Sequence, residues 1–371
     1  MNKTLQKFRN SKKNKKLKTN IKIDLKYISS TRRNKVIFIL TKNKINSIIR
    51  VLFFIILIFH IDLISTKSSK KRNLNSDSEI NLTIKGTGTQ RILNETFKPM
   101  PNQIYINGQL QNYSKYEVIN LEKEENNITL KWKYQLENCK EMFWHLSNII
   151  KIDFSNFDSS RVNNMYRIFE GCTSLVSINF NNINTKSVTN MDGMFMDCKS
   201  LISLDLSHFN TSSVIFMYSM FSGCSSLEYI NLTNFNTSLV PNMDKMFFNC
   251  GNLTSLDLSY FHTSSVEFMC NMFYGCSSLK ELNLSNFNTL KVKDMNNMFY
   301  GCSSLISLDL SNFETPALNT MIGMFSSCSS LTSLNISKFN TSLITNMESL
   351  FNGCSSLISL DLKNFDNFSK N

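Results

Sequence analysis

A cysteine recurs every 26 residues, at Cys172, Cys198, Cys224, Cys250, Cys276, Cys302, Cys328 and Cys354, each inside a near copy of N-M-x-x-M-F-x-G-C-S-S-L-x-S-L-D-L-S-N-F-N-T. One more copy lies upstream without its thiol: Met142 and Phe143 stand 26 residues before Ile168 and Phe169, and Leu146 takes the cysteine's place. Nine units therefore fill residues 135–371. A constant period of this length predicts a solenoid, in which each unit buries its apolar face only against its neighbours. Function is then to be sought on a surface made by stacking, because near-identical units seldom assemble a unique catalytic pocket.

Charge is unevenly spread. The formal charge of +12 arises from residues 1–50, which hold sixteen Lys or Arg against the single acid Asp24; the remainder is net −3. The basic character thus belongs to a leader and gives no reason to expect nucleic acid as a partner of the repeats. Residues 1–47 are expected to be a disordered cytoplasmic leader. Residues 48–64 follow, with an unbroken apolar core from Val51 to Phe59 that His60 and Asp62 end. That length lies between a signal-peptide core and a spanning helix. With positive charge on its N-terminal side, the segment is expected to be an uncleaved signal anchor that places the protein in the cell membrane as a single-pass chain with its repeats outside. Cleavage and secretion is the alternative. Asn-x-Ser/Thr sequons such as Asn81, Asn94, Asn127 and Asn210 agree with export, and also arise by chance in so Asn- and Ser-rich a chain.

Residues 65–77 are expected to be a linker. Period-two alternation at Ile80–Ile84, 103–108, 116–121 and 127–132 predicts a small β module over 78–134, abutting the first repeat as a cap. Within a repeat, Val214, Met217, Met220, Phe221 and Cys224 fall at i, i+3, i+6, i+7 and i+10, the spacing of one face of a short helix. Leu227, Ile230 and Leu232 then predict a short buried strand. Methionines in these columns are core filler. Cysteines 26 apart, with no histidine beside them, do not make a zinc pattern. They are read as buried free thiols, with pairing between successive units as the alternative.

The column between the two strand apolars is the most informative on the surface. It reads Asp153, Asn179, Asp205, Asn231, Asp257, Asn283, Asp309, Asn335, Asp361, acid and amide alternating strictly. Stacked aspartates alone would place like charges about 5 Å apart; interleaved amides remove that repulsion and can donate to neighbouring carboxylates. A row of weak Ca²⁺ sites is disfavoured because each carboxylate has too few companions, so neither metal nor cofactor is expected. The alternation also implies a 52-residue ancestral pair. With Lys151, Tyr229 and Glu281, the few distinctive side chains beside it, this row is the candidate binding face.

Units such as Asn190-Met191-Asp192-Gly193-Met194-Phe195 and Gly301-Cys302-Ser303-Ser304-Leu305-Ile306-Ser307-Leu308-Asp309-Leu310-Ser311-Asn312-Phe313 resemble the BspA-type leucine-rich repeats of bacterial and protozoan surface proteins, including the repeat domain of unknown function common in mycoplasma surface proteins. The resemblance covers roughly residues 138–371. It implies an α/β solenoid, leucine-rich-repeat-like, of about nine 26-residue units with one short strand and one short helix each. It also implies a cell-surface recognition or adhesion protein that binds a protein or glycan partner without catalysis. A structural surface protein self-associating through its C-terminal repeat, as a homo-oligomer, is the alternative. No Ser-His-Asp, metal or phosphate-loop constellation accompanies the four histidines.

Overall fold

A computed structural model of the chain describes residues 78–112, 115–362 and 364–365. The leader 1–47, the apolar segment 48–64 and the linker 65–77 lie outside the described residues. Six strands precede the repeats: β1 (Ser78–Lys85), β2 (Gly88–Arg91), β3 (Gln103–Ile106), β4 (Gln109–Leu110), β5 (Glu117–Leu121) and β6 (Glu125–Trp132). Within the repeats lie β7 (Ile149–Asp153), β8 (Ser177–Asn179), β9 (Ser203–Asp205), β10 (Tyr229–Asn231), β11 (Ser307–Asp309) and β12 (Ser333–Asn335). In β1 the alternation is literal: Ile80, Leu82 and Ile84 are buried, while Asn81 and Thr83 turn to the other face. β1 pairs antiparallel with both β6 and β7, and β7 pairs parallel with β8. One six-stranded sheet, ordered β4-β3-β6-β1-β7-β8, therefore runs from the antiparallel strands into the first two repeats.

The expected α/β solenoid with a helix in every unit does not form. No helix occurs among the described residues, and the repeat strands are three to five residues long and gathered in small sheets. The leucine-rich-repeat-like pairing of strand with helix is corrected accordingly. Val214, Met217, Met220, Phe221 and Cys224 are all fully buried, as a helical face would be, but the segment that carries them is a run of tight turns. Met220 N–H donates to Met217 O at 3.4 Å and Cys224 N–H to Phe221 O at 3.2 Å, both across three residues. The alternate amides leave the unit: Ser219 donates to Asp244 O at 3.0 Å, Phe221 to Met246 O at 3.0 Å and Gly223 to Phe248 O at 2.7 Å. A turn every three to four residues buries the same positions as a helix, so the apolar spacing does not separate the two.

Backbone conformation decides it. Each unit places two residues four apart at positive φ, one in the column of Glu141, Arg167, Gly193, Ser219 and Lys245, the other in the column of His145, Gly171, Asp197, Gly223 and Asn249. Both columns continue to Ser349 and Gly353. A left-handed residue ends a right-handed helix and costs an L side chain about 1–2 kcal/mol. The amide bonds to the next coil offset that cost.

The interior is a set of ladders. Phe143, Phe169, Phe195, Phe221, Phe247, Phe273, Phe299, Phe325 and Phe351 stack with ring centroids 5.4–6.0 Å apart. A second column packs more loosely, with Phe235–Phe261 at 6.3 Å and Phe287–Phe313 at 6.4 Å. The cysteines are free thiols. Each of the eight in the ladder donates its S–H to the carbonyl of the Phe 29 residues earlier, at 3.0–3.2 Å, as Cys224 does to Phe195 O. Burial pushes the Cys224 thiol up to about 12, which keeps it protonated as a donor.

Among the described residues no helix is long and apolar enough to cross a membrane. Their apolar side chains are spent inside the stack, never collected in one run. The single-pass membrane placement finds no support among the described residues; its segment, 48–64, lies outside them, and the placement is not carried further.

Substitution of glycine tests the backbone account. Gly223 and Gly301 both sit near φ 70°, at 75° and 70°. A Cβ at Gly223 would approach Asp197 Oδ1 to 2.6 Å, whereas at Gly301 the nearest atom is 3.7 Å away. Gly301→Ala should cost about 1 kcal/mol and Gly223→Ala about 2–3 kcal/mol, measured by chemical denaturation. Equal costs would mean that the side chain overhead is irrelevant.

Candidate functional site

The Asp/Asn row is built by a turn. In eight units the Oδ1 of the Asp or Asn accepts the N–H two residues on: Ser155 to Asp153 at 2.8 Å, Asn181 to Asn179 at 3.0 Å, Ser207 to Asp205 at 3.0 Å and Thr233 to Asn231 at 3.1 Å. Ser259 to Asp257 (2.9 Å), Ser285 to Asn283 (3.0 Å), Ser311 to Asp309 (3.0 Å) and Ser337 to Asn335 (3.2 Å) repeat it. This Asx turn bends the chain out of the strand after three residues and accepts either residue type, since both carry the carbonyl oxygen. Half of the expectation about amides donating to carboxylates stands at Asp309, whose carboxyl is held below its usual range by the Ser311 N–H first, with Asn335 adding a weaker side-chain bond. The row's primary work is chain reversal.

A second Asx column lies on the turn side and was not read from the sequence. Asn164 caps Tyr166 N–H at 2.9 Å, Asn190 caps Asp192 at 2.9 Å and Asn242 caps Asp244 at 2.7 Å. At Phe216, Phe268 and Thr320 the column has no Asx, and the orphaned amide two residues on is taken by the preceding coil. Tyr218 N–H donates to Asp192 Oδ1 at 2.6 Å, Cys270 to Asp244 Oδ1 at 2.6 Å and Ile322 to Asn296 Oδ1 at 2.7 Å. From Asn190 onward the 52-residue alternation seen on the strand side recurs here, whereas Asn138, Asn164 and Asn190 cap three successive coils.

The buried threonines bridge coils. Thr211 Oγ1 donates to Asn236 O at 2.9 Å and accepts Asn236 N–H at 2.7 Å, and Thr237 does the same with His262. Sequons have a related origin. Asn210 Oδ1 accepts both the N–H and the hydroxyl of Ser212, and Asn340 does so with Ser342. The Asn-x-Ser pattern is thus the signature of a turn, and Asn94, with Thr96 bound to it, is only 5 % exposed.

One column projects from the strands beside the Asx row: Lys151, Ser177, Ser203, Tyr229, Ser255, Glu281, Ser307, Ser333 and Ser359, all exposed. Serine is broken in three places, by Lys151, Tyr229 and Glu281. Among the described residues, no hydrogen bond or ion pair that holds the stack uses the side chains of those three. Tyr229 is 56 % exposed. Of the candidate residues, the structure gathers Lys151, Asp153 and Asn179 around a shallow depression of about 470 Å³ with Asn81, Thr83 and Asn127. Asp205, Asn231, Asp257, Asn283, Asp309, Asn335 and Asp361 extend one per coil away from it, and Tyr229 and Glu281 stand apart along the column. Among the described residues no three of His, Cys, Asp or Glu gather so as to hold a metal ion.

Burial raises the Asp244 carboxyl to about 6, with Asp294 nearby adding to it and the Cys270 N–H opposing. A raised folded value means the folded state holds its proton longer than the unfolded chain, so stability falls as pH rises from about 4 to about 6 and stays lower above that. Asn296 occupies the equivalent position two units on and serves the same acceptor role. Asp244→Asn should therefore stabilise the protein at pH 7 by roughly 1 kcal/mol, allowing for solvent screening of a partly exposed group, with the gain vanishing at pH 4. Thermal melts of both proteins at the two pH values measure it; a gain independent of pH would contradict this assignment.

No curated protein matches the chain. A family model does, three times, over residues 137–229, 224–333 and 272–370, which together span more than half the chain. These overlapping matches cover the stack from its first coil onward, and on that extent the chain belongs to the family described as Mycoplasma protein of unknown function, DUF285.

Proposed function

We propose that the protein is a non-catalytic recognition scaffold that binds a protein or glycan partner through the outward strand face. One observation carries the reading: polar groups inside each coil are committed to stacking, while the outward serine column is interrupted by Lys151, Tyr229 and Glu281, which the stack does not use. A cation, an aromatic ring and an anion spaced along a rigid row can discriminate partners without cost to the fold. The likeness of the units to BspA-type surface-protein repeats points the same way.

The repeat supplies its own control. Serine fills this column in six other units, so replacing Lys151, Tyr229 and Glu281 together by Ser leaves coil packing intact. Partners captured from cell and matrix extracts by the full chain, then titrated individually by calorimetry, should bind saturably and lose about tenfold or more in affinity to the triple variant. Equal binding by the two proteins would overturn the reading.

A second reading, self-association through the last coil, has one observation in its favour. Leu357, Leu360 and Leu362 are half-buried, whereas Leu305, Leu308 and Leu310 at the same positions two coils earlier are buried. Sedimentation of the full chain over a hundredfold concentration range is expected to show a dimer that Leu360→Asp abolishes if this end pairs. A concentration-independent monomer removes the reading.

A further inference from the structure

The exposed face of the six-stranded sheet differs from the rest of the outward surface. Strand registers set two polar rows side by side across four strands. Asn127, Thr83, Lys151 and Ser177 lie in one row, because Thr83 pairs with Asn127 and with Lys151, and Lys151 pairs with Ser177. Thr129, Asn81, Asp153 and Asn179 form the other by the same pairings. Between the rows lies the depression of about 470 Å³. A register shift at Thr83/Ile84, where β1 meets β7, interrupts the ladder there.

The chemistry of this surface is balanced in charge, over a floor that includes Leu82, Ile128, Ile152 and the partly buried Ile178. Lys151 and Asp153 bring one charge of each sign, two residues apart on the same face of β7. Further along, Lys131 and Glu79 neutralise each other at 3.0 Å, with the Lys131 ammonium 5.2 Å from the centre of the Tyr105 ring. Thr83 Oγ1 donates to Asn127 Oδ1 at 3.3 Å and Thr129 Oγ1 to Asn81 Oδ1 at 2.5 Å, while the Asn81 NH₂ donates to Glu79 Oε1 at 2.9 Å, which orients the amides. Asp153 Oδ1 is taken by Ser155 N–H, leaving Oδ2 as an acceptor. Lys151 makes no ion pair among the described residues.

The geometry points to this depression as a subsite for a short neutral oligosaccharide, held by Lys151, Asp153, Asn81, Asn127, Thr83 and Asn179. The inference rests on the recognition reading above and names its partner. Vicinal hydroxyls both donate and accept, and a plane of alternating amide, hydroxyl, ammonium and carboxylate groups answers them in both senses. A protein partner would want a large apolar or aromatic anchor, whereas of the apolar lining here Leu82, Ile128 and Ile152 are buried and Ile178 is partly buried; a charged ligand would want an excess of one sign, which this surface lacks. The volume fits two or three sugar rings and not a folded domain.

Two substitutions test it without disturbing the fold, because the repeat itself uses the replacement residues. Lys151→Ser installs the residue of Ser177 and Ser203, and Asp153→Asn installs that of Asn179 and Asn231 with its turn bond retained. The full chain is titrated with a panel of neutral tri- to hexasaccharides built from glucose, mannose, galactose and N-acetylglucosamine. Saturable binding of at least one, weakened about tenfold or more by the double variant and unchanged by Tyr229→Ser, is expected. Silence across the panel, or binding that the double variant leaves intact, overturns the inference. If the panel is silent while a captured protein still depends on Tyr229 and Glu281, the subsite fails and the recognition reading survives. If neither protein nor sugar depends on the column, both fail.

Discussion

Hydrogen bonds between a backbone amide and a carbonyl 25 residues further on hold this protein together. Ser219, Phe221 and Gly223 each send an N–H across to the next coil, and the same pattern recurs from Cys139 to Ser327. Half of the turn-side amides are satisfied only by a neighbour, so a single unit cannot satisfy its own backbone, and buried unpaired amides are costly. Stacking is therefore obligatory. The Phe ladder, the thiol ladder and the threonine bridges all occupy positions that this coil-to-coil spacing provides, and a coil one residue longer would displace every one of them.

Asp and Asn recur at the places where the chain must change direction. On the strand side they end three-residue strands; on the turn side they cap amides that no carbonyl reaches. Where the turn-side column lacks an Asx, as at Phe216 and Phe268, an Asp of the previous coil reaches over to the same amide. From Asn190 onward, alternate coils thus differ in who supplies the acceptor. Asp244 is the residue where this arrangement carries a cost, because its carboxylate is drawn from water and lies near Asp294.

Much of the burial pattern was legible in the sequence, and the conformation was not. Val214, Met217, Met220, Phe221 and Cys224 are inside as their spacing implies, yet the segment turns where a helix was expected. The signal that distinguishes the two is the pair of left-handed positions in each unit. Those positions hold Arg167, Ser219, Lys245 and Asn271 as well as glycines, so residue type alone does not announce them. The surface behaved similarly. Lys151, Tyr229 and Glu281 stand out as breaks in a serine column and could be found by alignment of the units. Asn81, Thr83 and Asn127 could not, because their place beside Lys151 depends on a long-range antiparallel register between β1 and β7.

A scaffold that commits its interior polar groups to stacking is free to vary its outward column, which is the physical basis for reading function there. The central claim concerns the backbone, and it can be observed directly. Scalar coupling across hydrogen bonds, measured on deuterated, ¹⁵N,¹³C-labelled protein, links an amide nitrogen to the carbonyl carbon that accepts its proton. The account predicts a correlation from Phe221 N to the carbonyl of Met246, the bond of 3.0 Å between coils. A correlation from Phe221 N to the carbonyl of Met217 would place a helix in the unit and contradict it.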